Sequence, residues 1–152
     1  MLKLKSYDSL NKNDCNLIKE LNTKLSSINV DNISDNMNIT NHKLKLLKKT
    51  IKNYTSNNCL KHYYHFFKNY MACEFNDLSD KVGLDFGCWF SISSSVYSLF
   101  NNKKIFAVDF YDKELIDRFN EQINSNIEYH NINNLKKISN VDWIMIYDVL
   151  DS

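Results

Sequence analysis

The sequence predicts an α/β fold, a parallel β-sheet preceded by an α-helical N-terminal segment. Three observations lead there. The hydrophobic period changes near residue 80, from helical spacing to short apolar runs. Those later runs alternate with helical stretches, the pattern of parallel β-α-β units with right-handed crossovers. The charge divides at the same place: residues 1–80 carry 12 Lys against 8 acids, whereas residues 81–152 carry 7 basic residues against 10 acids. The expected organisation is a helical segment over 1–80 and a sheet domain over 81–152.

Each element follows from its own spacing. Leu17, Ile18, Leu21 and Leu25 recur at three- and four-residue steps and predict a first helix. The stretch from Asn29 to Thr40, rich in Asn, Asp and Ser, reads as a loop. Leu44, Leu46, Leu47, Ile51 and Tyr54 predict a second helix. A third runs from about Asn58 to Phe75 with an aromatic face of Tyr63, Tyr64, Phe67 and Tyr70, and Asn76 to Asp80 makes a turn. The apolar run Val82 to Phe86 then has the shape of a buried strand ending at Gly87. Ser91 to Phe100 reads as a helix with Ser91 or Ser93 as N-cap. Ile105 to Phe110 is a second buried strand and Lys113 to Ile123 an amphipathic helix. Ile127 to Ile132 alternates like a strand near an edge, and Val141 to Tyr147 is a fourth strand, apolar on both faces.

Composition bounds the function classes. With 152 residues, 43% hydrophobic and 24% charged, the chain is the size and make-up of one globular domain, which excludes a disordered or fibrous protein. A net charge of +1 supplies no electrostatic case for nucleic acid or an anionic membrane, so neither is expected as a partner. The start of the chain shows no signal-peptide pattern, and the four cysteines are widely spaced. They read as reduced thiols in a cytoplasmic protein. The chain holds 23 Asn, and 18 of its 19 basic residues are Lys, a compositional bias that leaves single Asn and Lys residues without functional signal. The two glycines, Gly83 and Gly87, fall in one segment and mark it.

In an open parallel sheet, ligands bind at the carboxyl ends of the strands. Asp109 closes the second strand 22 residues beyond Gly87, a suitable place for a carboxylate that accepts hydrogen bonds from ribose hydroxyls. On pattern alone this is a nucleoside-cofactor site.

The motifs then become specific. Leu84-Asp85-Phe86-Gly87-Cys88 resembles the first motif of class I S-adenosylmethionine-dependent methyltransferases, and Ile105 to Asp109 is similar to that family's second strand. Asn133 falls where the family commonly has an acid that meets the adenine, and Val141 to Asp151, containing Asp148-Val-Leu-Asp, resembles its fourth-strand motif. The resemblance covers residues 81–152 and implies a Rossmann-like sheet, the first four strands of a methyltransferase fold, binding S-adenosyl-L-methionine. It implies that Asp85 and Gly87 hold the amino-acid end of the cofactor, together with Phe86 and Cys88 of the same motif. Asp109 would take the ribose, Asn133 the adenine, Phe110 and Tyr111 the adenine face, and Asp148 would lie near the transferring methyl. The expected activity is methyl transfer to a small-molecule acceptor, with this chain as the cofactor-binding half. A partner or a C-terminal half would complete the sheet.

Where the family turn usually reads Gly-Cys-Gly-x-Gly, this chain has Gly87-Cys88-Trp89-Phe90-Ser91. The alternative is therefore a non-catalytic binding or interaction module on the same fold. A nicotinamide dinucleotide domain ranks third, because Trp89 stands where its turn needs a second glycine. Cys59, His62, His65 and Cys73 have metal-ligand chemistry, but their spacing and aromatic neighbours favour an ordinary helix, and no metal is expected. The lysines between Lys43 and Lys52 read as a solvated helix face.

Overall fold

A computed structural model describes residues 12–56, 79–88, 91–99, 102–110, 112–123 and 126–146. The helix expected from Asn58 to Phe75 lies outside them. The fold is α/β, with a four-stranded all-parallel sheet of Rossmann-like layout and a helical segment before it.

The N-terminal helices are α1 (Lys12–Ser26), α2 (Val30–Ile33) and α3 (Asn41–Thr55). Ile18, Leu21 and Leu25 of α1 and Leu47 and Ile51 of α3 are buried, as their spacing dictates. The short α2 corrects the expectation of a plain loop over 29–40. Asn29 Oδ1 accepts from the backbone N–H groups of Asp31 and Asn32 at 3.0 and 3.2 Å, and Val30 is buried behind this cap. Four residues are too few to show a helical period, so only the cap announces it. Thr40 Oγ1 accepts from Lys43 N–H and starts α3.

The sheet contains β1 (Val82–Phe86), β2 (Lys104–Asp109), β3 (Ile127–Asn131) and β4 (Trp143–Ile146), in the order β3-β2-β1-β4. Two crossover helices, α4 (Ile92–Ser98) and α5 (Lys113–Ile123), follow β1 and β2. A 3-10 helix over Ile132–Lys137 follows β3. The chain steps from β1 outward to β3 and then returns to place β4 on the other side of β1. That reversal is a topological switch point, where open sheets of this kind bind ligands.

The register sorts the strand residues onto two faces. Gly83 pairs with Ile105 and Trp143, and Asp85 with Ala107 and Met145. These residues share the helix-covered face. There, one apolar cluster joins Ile18, Leu47, Val96, Ala107, Phe119 and Tyr129, so the N-terminal helices and the crossover helices share a core. The Ile, Leu, Val and Phe side chains among them each contribute about 1.5–3 kcal/mol by leaving water. On the opposite face Leu84, Phe86 and Phe106 are half-buried, and Ile144 and Ile146 are 57% and 58% exposed. No helix among the described residues is long and apolar enough to cross a membrane.

Candidate functional site

Parallel pairing brings the ends of β1, β2 and β3 to one edge. Gly87 follows β1 with φ 79, left-handed backbone that glycine accepts without a steric penalty. Its N–H donates to Val108 O at 2.8 Å, and Cys88 N–H reaches the same carbonyl at 3.3 Å. The exit of β1 is thereby tied to the end of β2, one residue before Asp109. Ser91 is also left-handed, with φ 62 and ψ 20.

Asp109 is half-buried and stands level with Asn131 of β3. Its Oδ1 accepts from Phe110 N–H at 2.7 Å. Asn131 Nδ2 donates to Phe110 O at 3.4 Å, while Asn131 Oδ1 accepts from Asn133 N–H at 3.2 Å. These bonds stitch the ends of β2 and β3 and leave the Phe110 ring 73% exposed beside the edge. Asn133 is exposed, one step further out on the 3-10 helix.

Asp85 lies beneath this edge and is almost fully buried. Its Oδ2 accepts from Ser93 Oγ at 2.5 Å and from Ser94 Oγ at 2.6 Å. Burial pushes the carboxyl up from 3.8 to about 6; the two serine hydroxyls pull it back down, and the Asp109 charge adds to the rise. Cys88 is buried as well, and burial, then the charges of Asp85 and Asp109, push its thiol well above the usual range. The thiol is therefore neutral and unreactive at physiological pH.

The structure thus brings together Gly87, Cys88, Asp109 and Phe110, with Asn133 at the margin. It places Asp85 below them, committed to α4. Phe86 points to the opposite face of the sheet, level with Val108 and Ile146. Asp148, Trp89 and Tyr111 lie outside the described residues, as do Cys59, His62, His65 and Cys73. Ser91 stands at the N-cap position of α4, as expected, but makes no side-chain cap bond: its hydroxyl lies near Asn120 and Cys88, and Ser93 serves Asp85. Sequence reasoning also missed Ser93 and Ser94 as partners of Asp85. Their signal is the run Ser93-Ser94-Ser95, small hydroxyl residues at the start of a helix that packs on an acid-bearing strand.

The residues at the edge fit the adenosine part of a nucleoside cofactor. A carboxylate with roughly four lone-pair sites suits a vicinal diol, an exposed ring suits a base, and a left-handed turn lets backbone come close. Asp85, buried beneath the edge, spends its Oδ2 on the hydroxyls of Ser93 and Ser94. A separate cleft of about 560 Å³ lies between the end of α1, α2 and α3, lined by Ser27, Asn29, Lys48, Ile51, Lys52 and Thr55. It shares no residue with the sheet edge. No protein-family model, curated protein or solved structure matches this chain.

Proposed function

We propose that this chain binds S-adenosyl-L-methionine at the carboxyl edge of β1 and β2 and supplies the cofactor-binding half of a methyltransferase acting on a small molecule. One observation carries the reading: the left-handed turn at Gly87 is hydrogen-bonded to Val108, beside the Asp109 carboxylate, at the switch point of the sheet. The sequence motifs around these residues resemble the same family.

When bound, the cofactor supplies a sulfonium methyl group open to in-line attack by an acceptor. The chain's own part is positioning. Asp109 accepts hydrogen bonds from the ribose hydroxyls, the Gly87 backbone allows close approach, and the Phe110 ring covers the base. Holding two reactants in line removes several kcal/mol of the barrier by proximity alone. Asp85 acts one layer down, fixing the start of α4 through Ser93 and Ser94. A cytoplasmic location is part of the same reading, on the wide spacing of the four cysteines.

The test is calorimetric titration with S-adenosylhomocysteine. Saturable heat is expected, with Asp109→Ala weakening binding by about 1.5–3 kcal/mol, the loss of charge-assisted hydrogen bonds. Absence of heat from a cooperatively folded protein overturns the reading. NADH, run as a competitor, is expected not to displace the ligand. The second reading, a non-catalytic interaction module, is favoured by the exposed Ile144 and Ile146 on the open sheet face. It predicts a folded chain silent in that titration.

A further inference from the structure

The apolar face of α5 carries one polar intruder. Leu115, Ile116, Phe119 and Ile123 pack into the core, and Asn120 is buried among them at 3% exposure. Asn102, also buried, uses both ends of its carboxamide: Nδ2 donates to Tyr97 O at 3.0 Å, and Oδ1 accepts from Trp143 Nε1 at 3.1 Å. Asn120 uses one. Its Nδ2 reaches Ser91 Oγ at 3.4 Å, and its Oδ1 has no hydrogen-bond partner among the described residues. A buried acceptor without a partner works against stability. On packing alone, leucine would suit this position better.

What Asn120 touches explains its presence. Ser91 is fully buried in left-handed backbone, a conformation that residues with a Cβ resist. Its hydroxyl lies between Asn120 Nδ2 and the Cys88 thiol, 3.9 Å away. Its carbonyl accepts from the Ser95 N–H at 2.9 Å and the Ser95 hydroxyl at 2.7 Å. Ser91 is therefore the pivot at which the chain leaves the β1 turn and enters α4, and α5 reaches it through Asn120.

We infer that Asn120 is a positioning residue: from α5 it holds the Ser91 hydroxyl, and through it the left-handed backbone that turns β1 into α4. The consequence for ligand binding rests on the cofactor reading above, since this turn borders the proposed site.

The test is a cycle of Asn120→Leu and Ser91→Gly in the full chain, read first by backbone amide exchange without ligand. Glycine takes left-handed backbone freely and needs no clamp. Asn120→Leu is expected to speed exchange at the Ser95 amide about ten-fold, as for one lost hydrogen bond, and Ser91→Gly in the same chain to restore it. Asn120→Ala replaces the leucine variant if that does not fold. Unchanged exchange in the Asn120 variant, or a loss that Ser91→Gly does not repair, overturns the assignment. Titration of the same proteins with S-adenosylhomocysteine is expected to follow the same order, with about ten-fold weaker binding in the Asn120 variant. No heat from any of them, alongside rescue in exchange, removes the cofactor reading and leaves the positioning role standing.

Discussion

Asp85 shows how a single residue's surroundings set its chemistry. Sequence placed it at the end of a strand, where a carboxylate ordinarily meets solvent or ligand. The register turns it instead toward α4, where its neighbours are the hydroxyls of Ser93 and Ser94. Burial raises its pKa from 3.8 to about 6, so the folded state holds the proton more tightly than the unfolded chain. The sign follows from linkage: this group's contribution is fully present below about pH 4 and is lost as pH rises through about 6. Relative to Asp85→Asn, the wild-type protein is expected to lose about 2 kcal/mol of stability between pH 4 and pH 7. Urea unfolding of both proteins across that range measures it, and parallel curves would refute it.

At the scale of elements, β4 docks on β1 through a close fit that no motif contains. The Trp143 indole lies across Gly83, so that a Cβ there would overlap its ring carbons Cζ2 and Cε2. The ring is fixed by its hydrogen bond to Asn102 and by an edge contact with Tyr97 at 5.8 Å. Gly83 thus serves packing, and Gly87 serves the turn, although both stood out equally in sequence. Gly83→Ala is expected to destabilise by about 1–3 kcal/mol through overpacking. The penalty is expected to shrink when Trp143→Leu is added, because the two sites share one volume. Urea midpoints of the single and double variants decide it.

Across the whole molecule, the helical segment is clipped to the sheet domain by long-range polar contacts over a shared core. Arg118 Nη1 donates to Ile33 O and Asp35 O, each at 2.9 Å, and Lys24 Nζ reaches Ile123 O at 3.4 Å. Lys43 pairs with Asp112 beside the end of β2, which sets α3 near the proposed cofactor edge. Arg118→Ala is expected to cost about 1–2 kcal/mol, from lost hydrogen bonds more than from its exposed pairing with Glu114. Limited proteolysis is expected to cut faster within 33–40, which contains both carbonyl partners, Ile33 and Asp35. An unchanged cleavage rate would show that the apolar core alone holds the segment.

The strands, the crossover helices and α1 and α3 were legible in sequence because burial on one face imposes a period that side chains must obey. The ends of β1 and β2, and with them Gly87 and Asp109, followed from the same reading. The direction of Asp85, the work of Ser93 and Ser94, and the buried Asn120 did not. Each depends on which residue stands opposite, and that is decided by pairing between segments far apart in the chain. Among 23 asparagines, nothing local distinguishes Asn120; only its place against Ser91, 29 residues away, does so. Local periodicity therefore determined the elements of this protein, and tertiary packing decided which of its polar groups face one another.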